Sequence, residues 1–584
     1  MSGFADGKGA SSTACPTAAA LLIVAAGALA YGNSLGGPFV FDDATSITGN
    51  STIRHIWPVW EALRPPVGEG ITVSGRPVLN LSFAVNYAIS GTRVWSYHAV
   101  NVLIHVLAGL TLFAIARRTL GRSRAAGAGL GATALAFFVA LIWTVHPLQT
   151  EAVTYTVQRA ESLMGLFYLL TIYCFLRGAG DERGSFRWLG LSWLACLLGM
   201  GTKEVMVTAP VVVFLADRSF VAGSFREAWR LRWKYHLALF STWIPLAWLV
   251  AGTGGNRGGS AGFGVAVSPV AYALTQFPAI AHYLRLAIWP HPLVFDYESF
   301  WIENAAQVLL PAAVVLALLA GTIWALCFRP ALGFVGAFFF LILAPTSLTP
   351  GTTQMIAEHR MYLPLAAVLA LIVWALDRVM AGDPRRKLLV AVVLLAAAAT
   401  AGALTFQRNK AYATELALWA DTVAKRPLNA SAQNNLGIQL TQAGRPLEAI
   451  PHFEKALRIS PKLAEAEYNL GIALGNTGEA DEAIDAYAAA VRLAPDLAEA
   501  RLNLGNILAR TGRVPEAIVQ FEEAVRIRPG YVDAHFNLGN ALVLAGRYEE
   551  AAAQYEAGLR LRPGDERIRQ TLLRLQEMAP GLRN

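Results

Sequence analysis

The sequence predicts an all-α protein in two parts, a polytopic helical membrane half followed by a solenoid of helical repeats. Three observations carry this. The 584 residues are 55% hydrophobic and only 15% charged, and mean hydropathy is +0.43, too apolar for a soluble chain of this size. Apolar stretches of bilayer-crossing length recur through the first 410 residues. Beyond them a 34-residue period sets in. The charge also divides near residue 410: the first part carries 29 Lys and Arg against 18 Asp and Glu, the remainder 19 against 22. The basic excess therefore belongs to the membrane half, where loop cations orient helices, and a nucleic-acid partner has no support.

Residues 1–16 form a short, weakly charged segment expected in the cytoplasm. The apolar run 17–36 has no evident cleavage site and reads as a retained anchor. The first outer loop, 37–97, opens on Asp42 and Asp43. Adjacent carboxylates at a membrane face are costly to keep without a task, because the low dielectric nearby penalises charge. The alternative role for either is an N-cap on an interfacial helix. Ten further spans are predicted near 98–117, 127–145, 160–177, 186–201, 204–220, 236–252, 307–328, 331–346, 361–380 and 388–406. The stretch 268–289, after the glycine-rich run GTGGNRGGSAGFG, is amphipathic and ambiguous.

Basic clusters settle the orientation. Arg117, Arg118, Arg122 and Arg124 follow the second span, Arg177, Arg183 and Arg187 the fourth, and Arg218, Arg226, Arg230, Arg232 and Lys234 the sixth. If 268–289 lies on the outer surface, Arg329 and the group Arg378, Arg385, Arg386 and Lys387 also fall inside. Eleven spans then place the N-terminus in the cytoplasm and the C-terminal part outside.

This topology gathers polar residues on the face that holds Asp42. They are His146, Glu151, Arg159 and Glu161 of HPLQTEAVTYTVQRAES, Lys203 and Glu204 of TKE, and Glu358, His359 and Arg360 of AEHRMYLP. The span middles are almost free of charge, which argues against an ion-coupled transporter. Arg159 with Glu161, and Lys203 with Glu204, are equally readable as ion pairs at helix ends, and His146 and His359 as packing residues. Trp57, Trp60, Trp95, Trp289 and Trp301 read as an interfacial belt. Cys15, Cys174, Cys196 and Cys327 form no CxxC pattern and suggest neither disulfides nor zinc.

In the second part, Asn-Leu-Gly recurs at Asn435, Asn469, Asn503 and Asn537. Proline recurs at 427, 461, 495, 529 and 563, small Ala at 449, 483, 517 and 551, and an aromatic at 453, 487, 521 and 555. This is the tetratricopeptide (TPR) pattern. Four full repeats lie within 430–565 of a domain spanning 411–584, and 566–584 reads as the capping helix a solenoid needs. The four Asn residues would form a ladder along a concave face, able to hydrogen-bond an extended peptide backbone. The alternative is that Asn is simply common at that position.

FVFDDATSITGN, GRPVLNLSFAVNY, HPLQTEAVTYTVQRAESL, GTKEVMVTAPVVV, EHRMYLPLA and the repeat array together resemble the transmembrane and TPR repeat-containing (TMTC) family. The resemblance covers nearly the whole chain. It implies a GT-C-type transmembrane catalytic domain over 17–410, and a glycosyltransferase that moves mannose from a polyprenyl-phosphate donor to Ser or Thr hydroxyls of exported proteins. The TPR array would recruit the acceptor. Ala, Gly and Arg usage looks bacterial, which implies an inner-membrane protein with its TPR domain in the periplasm. By motif, Asp42 or Asp43 is the base that takes the hydroxyl proton. The leaving lipid phosphate needs cations, for which Arg159, Lys203 and Arg360 are the candidates, with Arg76 behind them. His146, Glu151, Glu161, Glu204, Glu358 and His359 could orient sugar or acceptor hydroxyls. No cofactor and no metal are expected, although the paired Asp leaves a divalent ion conceivable. Two other functions compete: the same chemistry on a lipid or envelope glycan, and a non-enzymatic membrane-anchored TPR scaffold. The scaffold would need one anchor rather than eleven spans.

Overall fold

Every predicted span overlaps helical structure in the computed structural model, which describes residues 15–68, 71–122, 130–180, 184–254, 268–298, 302, 304–351, 355–379 and 383–579. Most of the glycine-rich run, with Arg124, Arg183, Trp301 and the last five residues, lies outside the described residues. Contacts divide the chain into two units, Met1–Leu418 and Trp419–Asn584, and no strand occurs among the described residues.

In the first unit, eight helices are long and apolar enough to cross a bilayer: Pro16–Ser34, Val94–Gly121, Thr156–Gly178, Glu204–Ala222, Phe225–Gly252, Ala306–Phe328, Pro330–Leu348 and Pro384–Tyr412. A ninth crossing is broken. Ala132–Val145 meets Pro147–Thr154 at a 53° bend, where Pro147 cannot continue the ladder of hydrogen bonds. The remaining two predicted spans are the shorter helices Ser185–Met200 and Pro364–Val379, 16 residues each. The ambiguous stretch is itself a 20-residue helix, Pro269–Ile288, capped by the Ser268 side chain.

Burial identifies the centre of the bundle. The apolar window of Thr156–Gly178 is 83% buried, whereas that of Ala306–Phe328 is 11% buried. The first therefore runs through the core and the second borders lipid. Trp57, Trp60, Trp95 and Trp289 are exposed, as an interfacial belt requires.

The second unit is a stack of helix pairs: Ala430–Gln442 with Pro446–Ile459, Ala464–Thr477 with Ala480–Leu493, Ala498–Arg510 with Val514–Ile527, and Val532–Leu544 with Tyr548–Leu561. Glu566–Met578 closes the stack. The Asn-Leu-Gly pattern has a steric cause. A Cβ added at Gly437, Gly471, Gly505 or Gly539 would meet the ring of Phe453, Tyr487, Phe521 or Tyr555 at 2.5–2.7 Å, so only glycine lets the paired helix bring its aromatic that close. The alanines at 449, 483, 517 and 551 are fully enclosed.

Candidate functional site

The acidic pair sits two residues into a turn after the first helix, and its two members face different surroundings. Asp43 is fully buried. One carboxylate oxygen accepts the Val40 N–H at 3.0 Å and the other accepts the Val157 N–H at 2.7 Å. It thus stitches the first outer loop to the turn that precedes Arg159. Burial, reinforced by the neighbouring Asp42 charge, pushes its carboxyl up to about 8.

Asp42 is only partly buried. Its N–H donates to the Tyr155 hydroxyl at 3.0 Å, and the Thr72 hydroxyl lies 3.4 Å from its carboxylate. Burial pushes this carboxyl up to about 6, opposed by hydrogen bonds from Thr72 and Tyr155 and by the charge of His359. Of the two carboxyls, Asp42 is the one held closer to the ordinary carboxylate range.

Thr72 leads from Asp42 to the cations. Its carbonyl accepts from Arg76 Nη1 at 2.8 Å, and Arg76 Nη2 pairs with Glu204 at 3.2 Å. Burial pulls the Arg76 guanidinium down to about 10, which still leaves it charged. Lys203 Nζ pairs with Glu161 at 2.6 Å, both groups buried. These pairs correct the neighbour pairing that the sequence suggested. Glu161 takes Lys203 from the turn ahead of another helix, and Glu204 takes Arg76 from the first outer loop. Glu161 also lies in electrostatic range of His359 and Arg76.

The segment Glu358–Met361 closes the third side. Glu151 accepts both the His359 backbone N–H at 3.0 Å and a bond with His359 Nδ1 at 2.8 Å. With a carboxylate as partner, Nδ1 is the donor, and Nε2 takes no part in that bond. Arg360 donates to the Met355 carbonyl at 3.2 Å and bonds the Tyr272 side chain. With Glu161 and Thr346 it lines a small cleft whose remaining walls are Met164, Val205, Ile342 and Leu363. Its rim is charged and its floor apolar.

Three predicted site residues are engaged elsewhere. Arg159 is fully enclosed. Its Nε donates to Asn101 at 2.6 Å, Nη1 to the Ser82 carbonyl at 3.2 Å and Nη2 to the Tyr97 carbonyl at 3.0 Å, and its plane lies 4.6 Å from the Phe83 ring centre. Bonds to three residues and a ring clamp the helix start and leave little of the guanidinium for a phosphate. Glu358 turns to the 294–297 loop, accepting from the Val294 N–H and from the Tyr297 hydroxyl at 2.8 Å. Burial pushes it up to about 7, against the pull of Arg408. His146 accepts the Leu148 N–H at 3.2 Å and caps the broken span.

Tyr155, Thr72 and Asn101 hold the site together and were not singled out in the sequence. Tyr155 stands inside the HPLQTEAVTYTVQRAES motif, which was the available hint. Among the described residues no three His, Cys, Asp or Glu side chains come together as a metal-binding group.

In the second unit, three ladder asparagines reach sideways to the preceding repeat. Asn469 donates to Asn434 at 3.0 Å, Asn503 to the Tyr468 hydroxyl at 3.2 Å and Asn537 to Asn506 at 2.8 Å. Asn435, in the first repeat, is half-buried.

Comparison with known proteins gives each half a counterpart. Residues 74–250 match the model for dolichyl-phosphate-mannose-protein mannosyltransferase, and residues 428–496, 468–532 and 512–575 match tetratricopeptide repeat models. The human protein O-mannosyl-transferase TMTC1 is 28% identical over 77% of this chain and 56% of its own length. Protein O-mannosyl-transferase F38B6.6 of Caenorhabditis elegans is 25% identical over 76% of this chain and 62% of its own. The mouse TMTC4 is 26% identical over 73% and 64%. The chain thus spans somewhat more than half the length of these relatives. Among solved structures, the TPR protein YrrB is 26% identical over 28% of this chain and 81% of its own, with a TM-score of 0.25. The TMTC likeness read from the motifs is what these comparisons find.

Proposed function

We propose that this chain, similar to the TMTC protein O-mannosyl-transferases along about three-quarters of its length, is a GT-C-type membrane glycosyltransferase. It takes mannose from a polyprenyl-phosphate donor and places it on Ser or Thr hydroxyls of exported proteins. The observation that carries the reading is Asp42: a partly exposed carboxylate, ionised near neutral pH, within electrostatic range of His359. His359 in turn lies near the Glu161–Lys203 pair and the Arg360 cleft.

The donor phosphate would rest against Arg360 and Lys203, with Arg76 behind, and the first isoprene units would lie over Met164, Val205, Ile342 and Leu363. The acceptor hydroxyl attacks the anomeric carbon from the Asp42 side, and its proton passes to the Asp42 carboxylate. As the new C–O bond forms, the anomeric carbon–phosphate oxygen bond breaks. The electron pair leaves on the lipid phosphate, where the cations meet the developing charge. Attack opposite the leaving group inverts the anomeric centre. Asp43, held by two backbone N–H groups, fixes the turn that aims Asp42. Glu151 fixes the His359 ring, which is free to orient a sugar hydroxyl through Nε2. The TPR unit would hold the acceptor segment, with amide donors and acceptors left over from the Asn ladder.

The test is transfer of labelled mannose from polyprenyl-phosphate mannose by the purified full chain to a Ser/Thr-rich peptide. Asp42→Asn should abolish it in a folded protein. Full activity in that variant, or label appearing only in lipid, would sink the reading.

A further inference from the structure

A second polar cluster occupies the end of the membrane unit opposite Asp42. Helix Glu204–Ala222 starts beside Lys203 and reaches this cluster at Asp217, a rise of about 20 Å. Asp217 is fully buried there and accepts a two-point fork from Arg232 at 2.8 and 2.6 Å, with His236 Nε2 at 2.9 Å. The backbone leaves helical geometry at Arg232 (φ −135°, ψ 24°), so the fork pins a bend in the helix Phe225–Phe240.

The cations around this latch are not consumed by it. Arg218 Nη1 and Ser219 Oγ are buried atoms with no hydrogen-bond partner among the described residues. The Arg218 guanidinium lies 5.1 Å from the Phe225 ring. Phe225 and Trp229 both contact Phe214, which places Arg218 and Trp229 around one ring cluster, with Arg226 next to Phe225 in the chain. Arg226 and Trp229 are exposed. Arg230 differs, since it forks onto Glu227 at 2.7–3.1 Å and is neutralised.

We propose that this rim binds the phosphate headgroup of an anionic phospholipid, with Arg218 and Arg226 donating to the phosphate oxygens and Trp229 packing at headgroup level. A buried guanidinium N–H without an acceptor is rare and costly, and a second guanidinium, that of Arg226, favours an anion there. The surrounding helices cross the bilayer, and an exposed tryptophan at the end of such a helix belongs at the headgroup layer. A lipid phosphate therefore fits better than a soluble one. The inference is independent of the transfer reaction.

The test is native mass spectrometry of the full chain in detergent with phosphatidylglycerol, phosphatidylcholine or inorganic phosphate. Phosphatidylglycerol should bind in preference to phosphatidylcholine. Arg218→Gln with Arg226→Gln should weaken it by at least about fivefold, whereas Arg230→Gln should not, and millimolar inorganic phosphate should not displace it. Should the double variant lose its cooperative melt, the exposed single variant Arg226→Gln is read instead, with a smaller loss expected. Unchanged phosphatidylglycerol binding in the variant read, equal binding of phosphatidylcholine, or displacement by inorganic phosphate would each overturn the proposal.

Discussion

Two neighbouring carboxyls differ because one is sealed and the other is not. Asp42, pushed up to about 6 and partly exposed, is ionised above that pH, so transfer should rise about tenfold per pH unit below it and level off above. Asp42→Asn should lower turnover by about 10²–10⁴-fold and erase that limb, measured as initial rate against pH. Asp43 should show itself in stability instead. Its folded carboxyl, at about 8, lies above its unfolded value, so the folded state binds more protons over the intervening range. Stability must then fall as pH rises from about 4 to about 8. Thermal melts of the detergent-solubilised chain should drop between pH 6 and 8. Asp43→Asn should melt lower at every pH, because an amide offers only one acceptor to the Val40 and Val157 N–H groups, and its slope should be flatter. The importance of the pair was legible, since two charges beside an apolar run need a reason. Its division of labour was not, because Tyr155 is 113 positions from Asp42 and Thr72 is 30, and no local pattern records such contacts.

Elements were easier to read than their ends. Apolar runs and the 34-residue period located the helices, because burial acts on every residue of a span or repeat. Helix ends were harder. Arg159 and Lys203 look alike in sequence, each a cation at the mouth of a helix beside a glutamate. Folding encloses the first among Asn101, Ser82 and Tyr97 and leaves the second beside the cleft through Glu161. Arg159→Gln should therefore act on stability, stranding several buried acceptors at a cost of about 3 kcal/mol, whereas Arg360→Gln should raise the donor KM with little change in melting. A shift in donor KM from Arg159→Gln with an unaltered melt would contradict that assignment. In the repeats, Gly505→Ala places a Cβ 2.5 Å from Phe521. It should destabilise by about 1–3 kcal/mol, visible as an earlier unfolding transition, while Gly475→Ala, with open space around it, should not.

At the scale of the whole molecule, the number of crossings decides whether the TPR repeats share a side with Asp42. Counted as crossings, the eight long helices, the bent pair and the two 16-residue helices make an odd number, which would send the chain out of the membrane opposite its N-terminus. A re-entrant bent pair would change that parity, and so would a crossing by the helix Pro269–Ile288. Its Gln276 and His282 and its buried Tyr272 and Tyr283 make it less apolar than the spans, and Tyr283 accepts the Ala357 N–H at 2.9 Å, beside Glu358–Met361. That bond anchors one face of the helix to the site, which favours a helix lying along the outer rim over one that crosses. The chain carries its own reporters, because Cys15 and Cys327 are exposed whereas Cys174 and Cys196 are buried. If Pro269–Ile288 lies on the surface, Cys15 and Cys327 both face the cytoplasm. A membrane-impermeant maleimide applied to intact cells should then label neither, and should label a cysteine introduced by Lys410→Cys. A crossing helix would invert everything after it, so that Cys327 reacts from outside and position 410 does not. The TPR repeats would then lie across the bilayer from Asp42, and acceptor recruitment by them would fail, even with the transfer chemistry intact.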